Sequence, residues 1–260
     1  MLRACRGRNL RHAALMPRAY KHTSLPPPYL KRVWIDDDTV EDRKSYPFCL
    51  PMFREPGFEL SFDSPVTILV GENGTGKSTL IEALAVLAGF EEGGGGRGIG
   101  SVTFDEYTEA SGGRLADALK ASWLPKVGRG WFFRAETFFS LARNISGDFL
   151  SHSHGEGFMR FFEERCQRPG IFFFDEPESA LSMARQFDFL KLLRRMQQLG
   201  SSQVIMATHS PILMALPDAR LLRLEKYGLL PVRLEDTDHY RMMREFILDP
   251  HGTVDMMLWE

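Results

Sequence analysis

The chain has 260 residues, of which 43% are hydrophobic and 25% charged, with a formal net charge of −2. That length supports one substantial core with insertions and leaves little room for a second large domain, and the charge argues against direct DNA binding. Cys5, Cys49 and Cys166 form no C-x-x-C pair, which excludes a disulfide scaffold and a zinc site and suits a reducing cytosol; no apolar run approaches the roughly 20 residues that span a bilayer.

From Met1 to Arg32 the chain carries eight basic side chains, Arg3, Arg6, Arg8, Arg11, Arg18, Lys21, Lys31 and Arg32, and no acid. Such a stretch reads as a targeting peptide, a nucleic-acid arm or an upstream start with Met16 as the true beginning; a disordered basic extension over 1–25 is the reading adopted. Pro26-Pro27-Pro28 closes it, and one domain is expected over 26–260. Tyr29–Ile35 is predicted as the first strand, followed by the turn-rich Tyr46–Pro51 and the alternating strand Phe58–Phe62. Tyr46 and Phe48 are aromatic candidates for stacking on a base, with core packing the commoner use of such residues.

Val66–Val70 is apolar and β-branched, and Ser78–Ala88 is a strong helix former stopped by Gly89. Between them stands Gly71-Glu72-Asn73-Gly74-Thr75-Gly76-Lys77-Ser78, a full G-x-x-x-x-G-K-[ST] loop in the strand–loop–helix setting that such a loop requires. Its glycines let backbone N–H groups converge on phosphate oxygens at a helix N-terminus. Lys77 then reaches the β- and γ-phosphates and Ser78 a magnesium ion. The loop points to a nucleoside triphosphate.

Gly93–Gly100 is a glycine run and predicts a mobile surface loop. Gly113–Lys120 fits a short helix, and no arm-length coiled coil fits between Ser101 and Ser151. Trp131-Phe132-Phe133-Arg134-Ala135-Glu136 reads as an aromatic strand with polar ends, and Ser153-His154-Gly155-Glu156 precedes a helix over Phe158–Glu164. Ile171–Phe174 is an apolar strand that delivers Asp175 and Glu176, suited to a magnesium ligand and to a general base that polarises water. Pro177-Glu178-Ser179-Ala180-Leu181 follows. Met183–Leu199 is an amphipathic helix with Phe187, Leu190, Leu193 and Met196 near one face. Gln203–Ala207 is a strand leading into Thr208-His209-Ser210. Leu221–Leu224 and Leu230–Leu234 suggest a hairpin, and Asp236-Thr237 caps a helix over Asp238–Leu248 that Pro250 stops. Asp236, Asp238 and His239 read as a cap and an acidic first turn in preference to a metal site.

The phosphate loop, Asp175-Glu176-Pro177, Ser179-Ala180-Leu181 and His209 together resemble the ATP-binding-cassette (ABC) ATPases, and the whole arrangement from Pro26 onward is similar to the small stand-alone predicted ATPases of bacteria within that superfamily. The resemblance implies an α/β P-loop NTPase fold of ABC-ATPase type, a mixed sheet flanked by helices with a short helical subdomain over about 90–165, and magnesium-dependent ATP hydrolysis in the cytoplasm. It assigns Gly71, Asn73, Gly74, Thr75, Gly76, Lys77, Ser78 and Thr79 to the nucleotide, Ser78 and Asp175 to Mg2+, Glu176 and Lys77 to catalysis, and His209 to the γ-phosphate. It also implies an ATP-dependent homodimer in which Ser153, Gly155 and Glu156 of one copy close over nucleotide held by the other.

Three departures accompany the resemblance. His154 and Glu156 stand where the signature carries Gly and Gln, and Ser182 stands where Asp is common. No glutamine precedes Gln167, so the Q-loop glutamine is missing and Glu136 is its nearest stand-in. Alternatives are a nucleotide-dependent switch in DNA repair or defence acting through a protein effector, the detached ATPase subunit of a transporter, and a sensor that binds ATP without turning it over.

Overall fold

The structure, a computed structural model, describes residues 25–97, 111–135 and 154–259. Its elements in chain order are β1 (Leu30–Ile35), α1 (Pro51–Arg54), β2 (Glu59–Ser61), β3 (Val66–Val70), α2 (Lys77–Ala88), β4 (Gly95–Gly96), α3 (Ser111–Ala118), β5 (Leu119–Trp123), β6 (Gly130–Arg134), α4 (His154–Arg165), β7 (Gly170–Asp175), α5 (Met183–Leu199), β8 (Ser202–Ala207), α6 (Pro211–Met214), β9 (Arg220–Glu225), β10 (Gly228–Pro231), α7 (Asp238–Leu248) and α8 (Pro250–Trp259).

A seven-stranded sheet in the order β10-β9-β3-β8-β7-β6-β4 forms the centre, and β1 joins β2 and β5 in a separate antiparallel sheet. Strands β9, β3, β8, β7 and β6 run parallel, while β10 and β4 pair antiparallel at the two edges. Parallel strands covered on both faces have no reason to alternate polar with apolar residues. Accordingly every residue of β3, β7 and β8 is buried.

The side-chain alternation of a strand divides those residues between two cores. Ile171 and Phe173 of β7 join α2 and the three-stranded sheet, whereas Phe172 and Phe174 pack with α4 and α5. Helix α2 therefore lies between two sheets, and nine of its twelve residues are buried, which explains a sequence so rich in Ala, Leu and Ile. On the other face the filling is aromatic: Phe133 stacks on Phe174 at 4.8 Å, and Phe162 meets both rings edge-on. Gln203, wholly buried in β8, joins the small sheet to the large one. Its Oε1 accepts from the N–H groups of Tyr29 and Leu30, and its Nε2 donates to the Leu30 carbonyl. Satisfying three buried backbone groups with one amide avoids the penalty of leaving them bare.

Several expectations need correction. Gly95 and Gly96 are buried edge-strand residues paired with Phe132 and Trp131, and Gly95, at φ +117°, holds a backbone conformation that favours glycine. Leu119 and Lys120 belong to β5 and not to the preceding helix. Of the segment 90–165, β5 lies in the small sheet and β6 in the central one. On α5, Phe187 is 52% exposed, and Phe189 and Leu192 take the buried places beside Leu193 and Met196. Pro250 ends nothing more than α7, since it opens α8, in keeping with the tolerance for Pro in a helix's first turn.

Candidate functional site

The carboxyl ends of β3, β7 and β8 adjoin one another in the sheet, and the segments leaving them make the site. From β3 the chain turns through 71–76 into α2. Gly76 adopts φ +96°, a left-handed conformation that costs a residue with Cβ about 1–2 kcal/mol, and a Cβ there would lie 2.9 Å from the Leu50 side chain. The turn thus needs glycine both for its backbone and for the close cover provided by Leu50 and Met52. Thr75 Oγ1 donates to the Glu72 carbonyl and holds the loop closed.

Lys77 is 4% exposed and donates to the carbonyls of Gly71 at 2.7 Å and Glu72 at 2.9 Å. Burial lowers its pKa, and the carboxylates of Glu176, Asp175, Glu72 and Glu178 oppose that shift. Beside it, Ser78 Oγ donates to Asp175 Oδ1 at 3.0 Å. The loop serine and the acid at the end of β7, almost a hundred residues apart in sequence, are therefore in contact. Thr79 is buried one residue on, with its hydroxyl 2.5 Å from that of Tyr46. Asn73 and Gly74 form the tip of the loop. Phe48 is a core residue and unavailable for stacking, whereas Tyr46 is 41% exposed. A cavity of about 360 Å³ opens next to Thr75, bounded by Pro51, Arg54, Leu224 and Tyr227.

Asp175 sits in a cluster that the sequence reading did not contain. Arg134, paired with it across β6 and β7, places Nε 3.9 Å from Asp175 Oδ2 and a terminal nitrogen 2.7 Å from Glu82 Oε1 on α2. Burial pushes the Asp175 carboxyl up to about 7, against the pull of Arg134 and the Ser78 hydrogen bond and reinforced by Glu82 and Glu176. The sign of this cluster lay in the sequence as one acid, Glu82, in the otherwise apolar run Leu80–Ala85, and one cation closing an aromatic strand.

Glu176 follows with φ +48°, an uncommon conformation for a residue with a side chain, and its carboxylate is 39% exposed. The turn after it folds Glu178 back under the end of β8, where its Oε1 accepts from the His209 N–H. Burial raises the Glu178 pKa, and the bonds from His209 and Thr208 resist. His209 Nε2 stands 3.5 Å from Glu176 Oε1, too far for a hydrogen bond, while its Nδ1 lies 2.8 Å from Nε2 of His239 on α7. A carboxylate facing Nε2 favours the tautomer with its proton there. Nδ1 is then the acceptor and His239 Nε2–H the donor. Burial, followed by Lys77 and His239, lowers the His209 pKa and keeps the ring neutral. Ser210 Oγ donates to Gln186 Oε1, and Gln186 Nε2 donates to the Leu181 carbonyl, so α5 ties the segment after Glu178 to the segment after His209.

Ser153 and Glu136 lie outside the described residues, as does the side chain of Glu156; Gly155 and Glu156 enter only as backbone of the first turn of α4. Among the described residues no group of three or more His, Cys, Asp or Glu forms a metal cluster, and no helix is long and apolar enough to cross a membrane. Ser78 and Asp175 offer two hard oxygen donors in contact, which suits magnesium, an ion that takes one or two protein ligands and fills its octahedron with water and phosphate. A cation there also favours the ionised form of a carboxyl that burial disfavours.

Two family models match adjoining stretches: "AAA domain" over residues 48–122 and "AAA domain, putative AbiEii toxin, Type IV TA system" over 127–215. The matches take in the phosphate loop, β7 with its acids, and His209, and both are to AAA-domain models. No curated protein matches the chain. Solved structures similar to it include cbiO1 from Clostridium perfringens, part of the ABC transporter complex cbiONQ, at 16% identity and TM-score 0.40 over 78% of this chain and 91% of that one. The SMC head domain from Thermotoga maritima is another, at 17% identity and TM-score 0.45 over 79% of this chain and 99% of that one.

Proposed function

We propose that the chain is a magnesium-dependent ATPase of ABC type that works as a nucleotide-sandwiched homodimer. The observation that carries the reading is the contact of Ser78 with Asp175, 3.0 Å, with Glu176 and His209 3.5 Å apart beyond it. Those four side chains come from the end of β7 and from the segments that follow β3, β7 and β8, and an arrangement of that kind serves a reaction centre better than it serves the core.

In this reading the N–H groups of Gly74, Thr75, Gly76 and Lys77 cradle the β-phosphate, and Lys77 leaves the Gly71 and Glu72 carbonyls for the β- and γ-phosphate oxygens. Magnesium, held by Ser78 Oγ and the Asp175 carboxylate, would supply neutralisation of charge on the phosphate oxygens. Glu176 accepts a proton from the attacking water. His209, neutral and fixed through Nδ1 by His239, presents Nε2–H to the γ-phosphate. The resemblance adds Ser153, Gly155 and Glu156 of a second copy, which close the site and make ATP bind the dimer better than the monomer, so that binding shifts the population toward dimer. Hydrolysis reopens it.

Light scattering on size-exclusion eluates, with phosphate release measured in parallel, tests this. Glu176→Gln is expected to dimerise only with Mg-ATP and to lose turnover by roughly a hundredfold or more, the scale of removing one essential catalytic group. Dimers absent from both proteins, or turnover that survives the substitution, would overturn it.

A further inference from the structure

At the opposite ends of β6 and β7 from Arg134 and Asp175, a cavity of about 490 Å³ opens between the start of β6, the residue after β4 and the segment joining α4 to β7. Four arginines line it, Arg97, Arg129, Arg165 and Arg168, against one acid, Glu164. Trp131 forms part of its wall. That residue is 3% exposed, yet its indole Nε1–H is buried without a hydrogen-bond partner, as is Nε–H of Arg165. Buried donors in native proteins are nearly always met by an acceptor, so two of them in one lining call for an explanation.

Aromatic packing explains where these groups sit but not why their protons lack acceptors. Trp131 meets Phe161 edge-on at 5.2 Å, and the Arg165 guanidinium lies 5.0 Å above the indole. Those contacts fix ring and guanidinium with N–H groups left over. Arg168, on the segment between α4 and β7, is exposed and adds a guanidinium at the rim. The carboxyl end of α4 brings about half a negative charge to the same place, less than the positive charge of Arg165 and Arg168.

We infer that this cavity binds a small anion bearing two or more phosphate groups, at a site separate from the phosphate loop. Guanidinium forks match phosphate oxygens two at a time, an indole N–H supplies a further single donor, and the volume lies in the range of small-molecule sites, roughly 300–1,000 Å³. Shape decides between a small ligand and a nucleic acid. A backbone-tracking surface spreads its cations along a stripe or groove, whereas Arg165 and Arg168 line one concavity together with Trp131.

The protein's four tryptophans allow a direct test. In the full chain with ¹⁵N-labelled tryptophan, the Trp131 indole resonance is the one missing from Trp131→Phe. Titration with inorganic pyrophosphate is expected to move it saturably, with a midpoint below about 1 mM, while the other three indoles stay put and report an intact fold. Arg168→Glu, which alters an exposed side chain, should raise that midpoint at least about tenfold. Occupancy of the phosphate loop does not enter, because that loop lies at the other end of the sheet. A Trp131 resonance unmoved by pyrophosphate to about 10 mM, or a midpoint indifferent to Arg168→Glu, overturns the proposal. So does a single-stranded oligonucleotide that moves the resonance at far lower phosphate concentration than pyrophosphate, since the ligand is then a polymer.

Discussion

At the carboxyl ends of β3, β7 and β8, charged and polar side chains lie buried with their partners close by: Lys77 on two carbonyls, Asp175 on Ser78, Glu178 on the His209 N–H. Helices α7 and α8, which leave the same neighbourhood, bury none of their residues and hold Phe246, Ile247, Leu258 and Trp259 in solvent. The two regions invert the usual division between polar outside and apolar inside. A buried carboxylate costs stability that its partners only partly return, and an exposed apolar side chain returns none. The site's order must therefore come from the strands and the cores beneath them. The helical pair is anchored at one end by the buried cap residue Thr237, whose Oγ1 accepts from the Tyr240 N–H, and by His239.

The sharpest way to probe the contrast is Asp175→Asn. Turnover is expected to fall roughly a hundredfold or more. Stability should move the other way. Asp175 titrates near 7 in the folded chain against 3.8 for an ordinary aspartate, so its stabilising, protonated form is fully present below the lower value and is lost as pH rises through the upper one. Asparagine escapes that loss. In the metal-free protein the melting temperature at about pH 8 should rise by roughly 2–8 °C, and the gain should vanish below about pH 4. A melting temperature that falls at both pH values breaks the claim that this end of the sheet is held against its own desolvation.

His239→Ala tests the junction between the regions. Without the imidazole on Nδ1, His209 loses its orientation, and turnover should drop about tenfold with ATP affinity unchanged. Because His239 is among the groups that lower the His209 pKa, the acid limb of the pH–rate profile should shift upward, a displacement that loss of packing alone does not produce. The smallest effect is expected from deleting residues 250–259. With no residue of α8 buried, the melting temperature should change by less than about 2 °C and turnover should hold. A large loss of either would show that the pair supports the site after all.

Much of this was legible beforehand, for reasons that differ by element. The phosphate loop, the strand ending in Asp175-Glu176 and Thr208-His209 announce themselves because their chemistry demands particular residues at fixed local spacing, and β3, β7 and β8 fall within a residue of their expected bounds. What escaped depends on partners remote in sequence. Arg134 acquires its meaning from Glu82 and Asp175, and His239 from His209; neither pair shares a local pattern. Leu119 and Lys120 pass for the end of a helix until the strand they pair with is known. The exchange of Phe187 for Phe189 on α5 has a similar origin, since a helix rich in apolar residues on several sides takes its buried face from the aromatic floor it meets.

The embrace of Lys77 by the Gly71 and Glu72 carbonyls has a consequence for recognition. The ammonium group already has internal acceptors, so an arriving phosphate gains only the difference between its own oxygens and two peptide oxygens. On the proposed function, the loop's own carbonyls would compete with the phosphate for Lys77. In the same reading, an anion with one charge would have little to offer in that exchange and one with several adjacent charges would have much, which would make the displaced lysine a discriminator of charge density as well as a ligand.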